Sequence, residues 1–407
     1  MSVKSRVPEL RFRGFSGEWE DIEFSETFAN ISNNTFSRDE LNYNFGLAKN
    51  IHYGDVLIKF GELLDIQKEE IPFISNNDYV NKLKSSKLQN GDIVIADAAE
   101  DEIVGKCTEI TNIEKDTVVS GLHTIAVRPT QSFASKYLGY YMNSSSYHNQ
   151  LLPLLQGTKV LSISKSAIKK TTISYPKDSL EQTKIGNYFQ NLDKLIEQKE
   201  KKHQKLGQLK KAILEKMFPK EGATTPEIRF KGFSGEWDEE KLGYISNITI
   251  GEFVIRTKQN PNALYPVYNG GKSNTGFYNE FNNTGNKIII SARGANAGYV
   301  NFEKRNYWAG NSCYSISMID EKIFFINYFY YFIKKYEYKF KDNQQSANIP
   351  SVSKDDAEKF KVKFPKFQEQ TKIGNYFQKL DHLIDLQNKE LQKLKNIKKA
   401  SLAKMFV

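Results

Sequence analysis

Side chains able to do chemistry are thinly spread through these 407 residues, and none form a recognisable reaction centre. The five histidines, His52, His123, His148, His203 and His382, stand at no metal-ligand spacing from one another or from Cys107 and Cys313. Gly270-Gly271-Lys272-Ser273 ends like a phosphate-binding loop, but Pro266 occupies the position where that loop needs its first glycine. An adenine methyltransferase would show Asn or Asp followed by two prolines and an aromatic; Asn260-Pro261-Asn262-Ala263 lacks the second proline and the aromatic. Asp97, Glu100 and Asp101 could imitate a nuclease cluster, but they also suit a polar loop after a strand. A stand-alone DNA nuclease is the one catalytic reading left open.

The elements that must position any site are set by internal repetition. Glu181 to Gln190 and Glu369 to Gln378 are the same ten residues, EQTKIGNYFQ. The match continues as Asn191–Ile196 against Lys379–Ile384, and resumes as Leu209–Phe218 against Ile397–Phe406. A second repeat interlocks with it: PELRFRGFSGEW from Pro8 to Trp19 returns as PEIRFKGFSGEW from Pro226 to Trp237. Each leader reads as a packed segment anchored by its Phe and Trp. The chain is thus two copies of one module, a leader, a long variable region and a long helix.

The helices carry apolar stripes in three- and four-residue steps. In the first these are Ile185, Leu192, Leu195, Ile196, Leu206, Leu209, Ile213 and Met217. In the second they are Ile373, Phe377, Leu380, Leu383, Ile384, Leu391, Leu394, Ile397 and Met405. Such spacing predicts a coiled-coil seam, each helix burying its stripe against the other copy, with polar breaks at Lys199 and Gln387. About 35 residues at about 1.5 Å each make a rod of roughly 50 Å.

The variable regions show short strand-like runs: Asp55–Phe60, Asp92–Asp97 and Thr124–Pro129 in the first, Asn286–Ala292 and Cys313–Met318 in the second. Helices are expected at Ser135–Leu152 and around Ile323–Tyr336. Curled, largely antiparallel sheets with flanking helices fit both regions. Of the net charge of +10, the segments Glu181–Lys220 and Glu369–Val407 carry nearly all, which suits a solvated face, nearby phosphate or an acidic partner. No apolar run approaches the roughly 18 residues of a membrane span, and the opening MSVKSR shows no signal-peptide pattern. With two cysteines in different halves, a soluble cytoplasmic protein is expected.

Taken together, the doubled helix starts, the doubled leaders, and the closing segments with Ser164-Lys165 and Ser353-Lys354 before a proline resemble one family. So do NIHYGD (Asn50–Asp55), GDIVIA (Gly91–Ala96) and IIISARGANAGYV (Ile288–Val300). The whole chain looks like the specificity (S) subunit of a Type I restriction–modification system. That resemblance implies an α+β fold: two mixed α/β target-recognition domains separated by two long helices forming an antiparallel coiled coil, with a pseudo-twofold internal repeat. The expected divisions are a leader (1–19), a first recognition domain (20–178), a central helix (179–220), a second leader (221–237), a second recognition domain (238–367) and a C-terminal helix (368–407).

The resemblance also implies a non-catalytic chain that binds double-stranded DNA, each domain reading half of an asymmetric, split site. It implies docking of methyltransferase (M) subunits, two of them, and restriction (R) subunits, also two, with no membrane. S-adenosylmethionine, and ATP and Mg²⁺ when the restriction subunit is present, would belong to those partners. A purely structural coiled-coil adaptor is the competing reading from another class.

Base edges are read best in the major groove, where Arg or Lys suits guanine and Asn or Gln suits adenine. The polar loops then single out Lys49, Asn50, His52, Tyr53, Gln156, Thr158 and Lys159 in the first domain. In the second they single out Asn269, Lys272, Arg293, Asn296, Gln344 and Gln345.

Overall fold

A computed structural model describes residues 6–78, 80, 86–342 and 350–407. The chain divides into two compact units, Met1–Lys199 with Glu390–Val407, and Glu200–Lys389. Two long helices, Ser179–Met217 and Phe367–Lys404, each contribute one half to each unit.

In the first unit a five-stranded sheet runs in the order Phe28–Ile31, Thr124–Pro129, Ile93–Ala96, Cys107–Thr111 and Leu63–Asp65. Its pairings are antiparallel except the last, which is parallel. A four-stranded sheet sets Lys49–Ile51 between Val118–Ser120, to which it is parallel, and Phe73–Ile74. In the second unit a four-stranded antiparallel sheet orders Ser246–Ile250, Cys313–Met318, Lys287–Ser291 and Val300–Glu303. Beside it Tyr265–Tyr268 lies between Gly276–Tyr278 and, in parallel, Trp308–Ala309.

One expected strand is a helix. Residues Tyr53–Ile58 coil because His52 caps them, its Nδ1 accepting from the Gly54 amide at 3.2 Å, and Val56 is fully buried against the sheet. A short apolar run cannot by itself tell a buried strand from a buried helical turn. The helix expected over Ser135–Leu152 breaks into Tyr137–Met142 and Ser145–Leu151, because Ser144 starts a new helix by accepting from the Tyr147 amide.

Four positions of the repeated decapeptide have the same structural task in both copies. Glu181 and Glu369, each 1% exposed, take a two-pronged grip from the leader arginines. Arg11 Nε and Nη2 donate to Glu181 at 2.7 and 2.8 Å, and Arg229 donates to Glu369 at 2.7 Å from both nitrogens. The remaining guanidinium nitrogen of each arginine donates to a leader carbonyl, Gly17 or Gly235, where the backbone is left-handed. Gln182 donates to the Pro176 carbonyl and accepts from the Ala134 amide; Gln370 does the same with Pro365 and Phe325. A Cβ on Gly186 would come within 3.1 Å of Lys136, and one on Gly374 within 2.7 Å of the Phe325 ring, so a side chain at either position would push the domain away from the helix. Phe189 stacks on Phe406 within the first unit, and Phe377 on Phe218 within the second.

The helix halves inside each unit run antiparallel. In the first, Tyr188 meets Ser401, Asp193 meets Lys398 and Lys199 meets Glu390, so one number rises as the other falls. In the second, Lys210 meets Asp381. The stripe is wider than the seam: Leu195, Leu209, Leu383 and Ile397 are exposed. The polar break at Lys199 is satisfied by its ion pair with Glu390.

A last element of the first unit is a buried carboxylate. Glu109 accepts from the amides of Lys136 and Gly139 at the start of the Tyr137–Met142 helix. Burial pushes its carboxyl up to about 7, against the downward pull of those donors and the Lys136 charge.

Two outcomes follow from these contacts. Arg11→Ala strands the buried Glu181 carboxylate and should cost about 3–5 kcal/mol in urea unfolding, most of it recovered in the Arg11→Met, Glu181→Leu double variant. A carboxyl whose native pKa lies above its unfolded value adds stability that is complete below the unfolded value and lost as pH rises through the native one. Stability should therefore fall between pH 4.5 and about 7. Glu109→Gln should flatten that part of a pH-dependent melting profile.

Candidate nucleic-acid interface

The two units place their polar loops at equivalent points of one frame. In the first, the strand Lys49–Ile51 ends with the Ile51 carbonyl accepting from the Gly121 amide at 2.8 Å. In the second, Tyr265–Tyr268 ends with the Tyr268 carbonyl accepting from Gly310 at 2.7 Å. His52 therefore matches Asn269, and the turn at His123 matches that at Ser312. The neighbouring strand leads into Asp97 in one unit and into Ala292-Arg293 in the other. Each is closed by a returning segment: Ile163 N–H donates to the Asp97 carbonyl at 2.8 Å, and Val352 N–H to that of Ala292 at 2.9 Å. Ser162 pairs with Ala98, as Ser351 does with Arg293.

Four of the first unit's candidates line this frame as one run. Lys49 is half-buried, pairing with Asp116 at 3.2 Å and donating to the Ile66 carbonyl. Asn50 is wholly buried; its Oδ1 accepts from Asn34 at 2.6 Å, so it braces the loop from inside. His52 is buried, and that burial, with the Arg38 charge next, holds its imidazole below the ordinary value. Arg38 itself is fixed by two bonds to Asp55, at 2.9 and 2.8 Å. The Tyr53 ring lies against those of His52 and His123, at 4.6 and 5.2 Å. Gln156, Thr158 and Lys159 are exposed on the returning segment, where the Gln156 backbone pairs with Ser162.

In the second unit Asn269 is half-buried, its Oδ1 accepting from the Ser312 amide at 3.3 Å. Lys272 is exposed two residues beyond the left-handed Gly270. Arg293 is exposed beside the returning segment, where the Gly294 amide donates to the Pro350 carbonyl. Asn296 is half-buried in the following turn, its carbonyl accepting from Tyr299. Gln344 and Gln345 lie outside the described residues.

Sequence reading missed His123 as a member of the site. Its backbone is left-handed, at φ 54°, and its Nδ1 stands 3.3 Å from Asp97 Oδ1. The missed signal was position: Gly121-Leu122-His123 lies directly before an expected strand, as Gly310-Asn311-Ser312 does before its counterpart. Asp97 belongs here too, while Asp101 accepts from the Ile103 amide within its own loop. Among the described residues no group of three or more His, Cys, Asp or Glu is placed to hold a metal ion. No helix among them is long and apolar enough to cross a membrane.

A duplicated α+β frame with unlike polar residues at matched positions of one rim defines a recognition protein with two reading surfaces. Residues 49–208 and 234–396 both match the family Methylase_S, the type I restriction modification DNA specificity domain. The chain is 23% identical over 408 residues to the type I restriction enzyme MjaX specificity subunit of Methanocaldococcus jannaschii, over 94% of this chain and 91% of that one. It is 25% identical over 183 residues to the type I specificity subunit S.MpnORF638P of Mycoplasma pneumoniae, over 45% and 48% of the two chains. The crystal structure of a type I restriction–modification S subunit from M. genitalium superposes with a TM-score of 0.67 at 18% identity, covering 98% of this chain and 99% of that one. A chain from a structure on complex assembly and conformational transition of the type I R-M system superposes at 0.53 and 16% identity, covering 94% and 96%. The chain belongs to the family of type I restriction–modification specificity subunits and carries two DNA specificity domains.

Two glycines hold the matched loops in place. A Cβ on Gly121 would stand 2.6 Å from Asn50 Nδ2 and 2.8 Å from the Ile51 carbonyl; one on Gly310 would stand 2.3 Å from Asn269 Oδ1. Gly121→Ala and Gly310→Ala should each cost about 1–3 kcal/mol by overpacking, read in thermal melts. Each should also weaken DNA binding of the assembled complex.

Proposed function

We propose that each unit reads one half of an asymmetric, interrupted site in double-stranded DNA. The observation that carries this reading is that one frame occurs twice with different residues at matched positions: His52, Tyr53 and His123 against Asn269, Gly270 and Ser312. A purely structural adaptor would gain nothing from that divergence. In the first unit Tyr53, Gln156, Thr158 and Lys159 face the DNA, with Lys49, Asn50 and His52 shaping the loops that carry them. In the second, Asn269, Lys272, Arg293 and Asn296 do so, joined by Gln344 and Gln345. Arg293 suits guanine O6 and N7, a contact worth about 1–3 kcal/mol of discrimination.

The paired helices set the gap between the half-sites and dock two methyltransferase subunits. Supporting this, Leu195 and Ile397 in the first unit and their repeat counterparts Leu383 and Leu209 in the second are exposed, so each unit offers the same apolar residues. Two restriction subunits complete the cleaving form of the complex. A relative's structure, concerned with complex assembly in a type I system, fits such a partnership. The chain itself is non-catalytic and works in the cytoplasm. S-adenosylmethionine serves the methyltransferase partners, and ATP with Mg²⁺ the restriction partners.

Methylome sequencing of a host carrying the chain with its methylating partner should reveal a bipartite modified motif; an uninterrupted motif would overturn the reading. Arg293→Ala should relax one half-site while leaving partner assembly intact in size-exclusion chromatography. Shortening one long helix by a few residues should change the number of unread bases or abolish recognition.

A further inference from the structure

We propose that His123 is a specificity-determining residue of the first half-site, with Asp97 as its positioning residue. This rests on the first unit being a base-reading domain. Three independent observations converge on the imidazole. First, His123 holds a left-handed backbone that L side chains rarely adopt, at φ 54°. Such conformations persist where the surroundings over-determine them, and they gather at functional sites. Here the surroundings are visible: the Asp97 amide donates to the His123 carbonyl at 3.1 Å, and the Thr124 hydroxyl bonds to the Gly121 carbonyl at the other end of the turn.

Second, the ring is aimed. Its Nδ1 lies 3.3 Å from Asp97 Oδ1, and the Tyr53 ring meets it edge to face at 5.2 Å. Even so, the His123 side chain is 52% exposed, so the orientation is maintained at the surface rather than by burial. Third, the place is shared. Ser312 occupies the same turn in the second unit, its amide donating to Asn269 Oδ1 and its carbonyl accepting from Ala292 next to Arg293, two residues proposed above as base readers.

The ring's chemistry follows from its neighbour. An ionised carboxylate only accepts, so the Asp97 contact places the proton on Nδ1. In the neutral ring Nε2 is then the lone-pair nitrogen, suited to accept from an exocyclic amino group, adenine N6 or cytosine N4, in the major groove. The second unit carries a hydroxyl at the matched position, able to donate or accept, with the Arg293 donor nearby.

The test uses the full chain in complex with its methylating partner. His123→Gly removes the ring and suits the left-handed backbone, so its melting temperature should equal or exceed the parent's. Its methylome should show one base pair of one half-site relaxed by about tenfold to a hundredfold, with the other half-site unchanged. Asp97→Ala, which keeps the ring but not its orienting carboxylate, should relax the same base pair. A 7-deazapurine at that pair removes the N7 acceptor and spares the amino groups, so binding by the parent complex should be unaffected; a loss would overturn the acceptor assignment. An unchanged motif in a well-folded His123→Gly variant would overturn the proposal. If replacing Gln156–Lys159 then still shifts the motif, the half-site reading stands and only His123 fails. If neither that replacement nor Arg293→Ala alters it, the half-site reading fails as well.

Discussion

The structure depends on a guanidinium closed over a carboxylate at the start of each long helix. Arg11 with Glu181 and Arg229 with Glu369 tie a leader to a helix, and the neighbouring Gln182 and Gln370 tie the same helix turn to its domain. A buried pair of this kind adds little net stability over an apolar substitute, because desolvation offsets the attraction. What it does enforce is geometry. The planar fork accepts one approach of leader to helix, and a misaligned helix would leave a charge stranded.

A second tie repeats in the same way. Tyr140 donates to Asp193, which pairs with Lys398; Tyr331 donates to Asp381, which pairs with Lys210. Each knot joins a hydroxyl from the domain's own helix to an acid and a base from the two long helices. The first knot also recruits Glu62 to Lys398 at 2.8 Å. The helix starts are thereby fixed alike in both units, while the rim carries His52, Tyr53 and His123 in one and Asn269, Gly270 and Ser312 in the other.

The frame was legible in the sequence because its constraints are local and doubled. An identical decapeptide must satisfy identical neighbours, so the repeat announced both helix starts and both leaders. Its glutamate and arginine were legible as repeated letters but not as partners, since 170 residues separate Arg11 from Glu181. The strands Ile93–Ala96, Thr124–Pro129 and Cys313–Met318 lie within the expected runs because they are largely apolar and largely buried. Tyr53–Ile58 misled because so short an apolar run carries no periodicity that separates helix from strand. Polar composition drew attention to the rim loops, but it could not distinguish Asn50, sealed inside, from Lys159 on the surface. Nor could it expose His123, whose place depends on a backbone angle and on Asp97, 26 residues earlier.

The division of the chain bears on the order in which it is made. The second unit is one continuous stretch, whereas the first is assembled from Met1–Lys199 and Glu390–Val407. Trp19, Tyr137, Tyr141 and Phe189 all pack on Phe406. During synthesis the amino-terminal unit must wait with an open aromatic socket until its last strip of helix leaves the ribosome. The later-encoded unit is complete once Lys389 has emerged, before the first has its full set of residues, against the usual vectorial order. From the synthesis of Phe189 to that of Phe406 the nascent chain carries this socket open, an interval in which a chaperone or an early partner meets exposed aromatic surface.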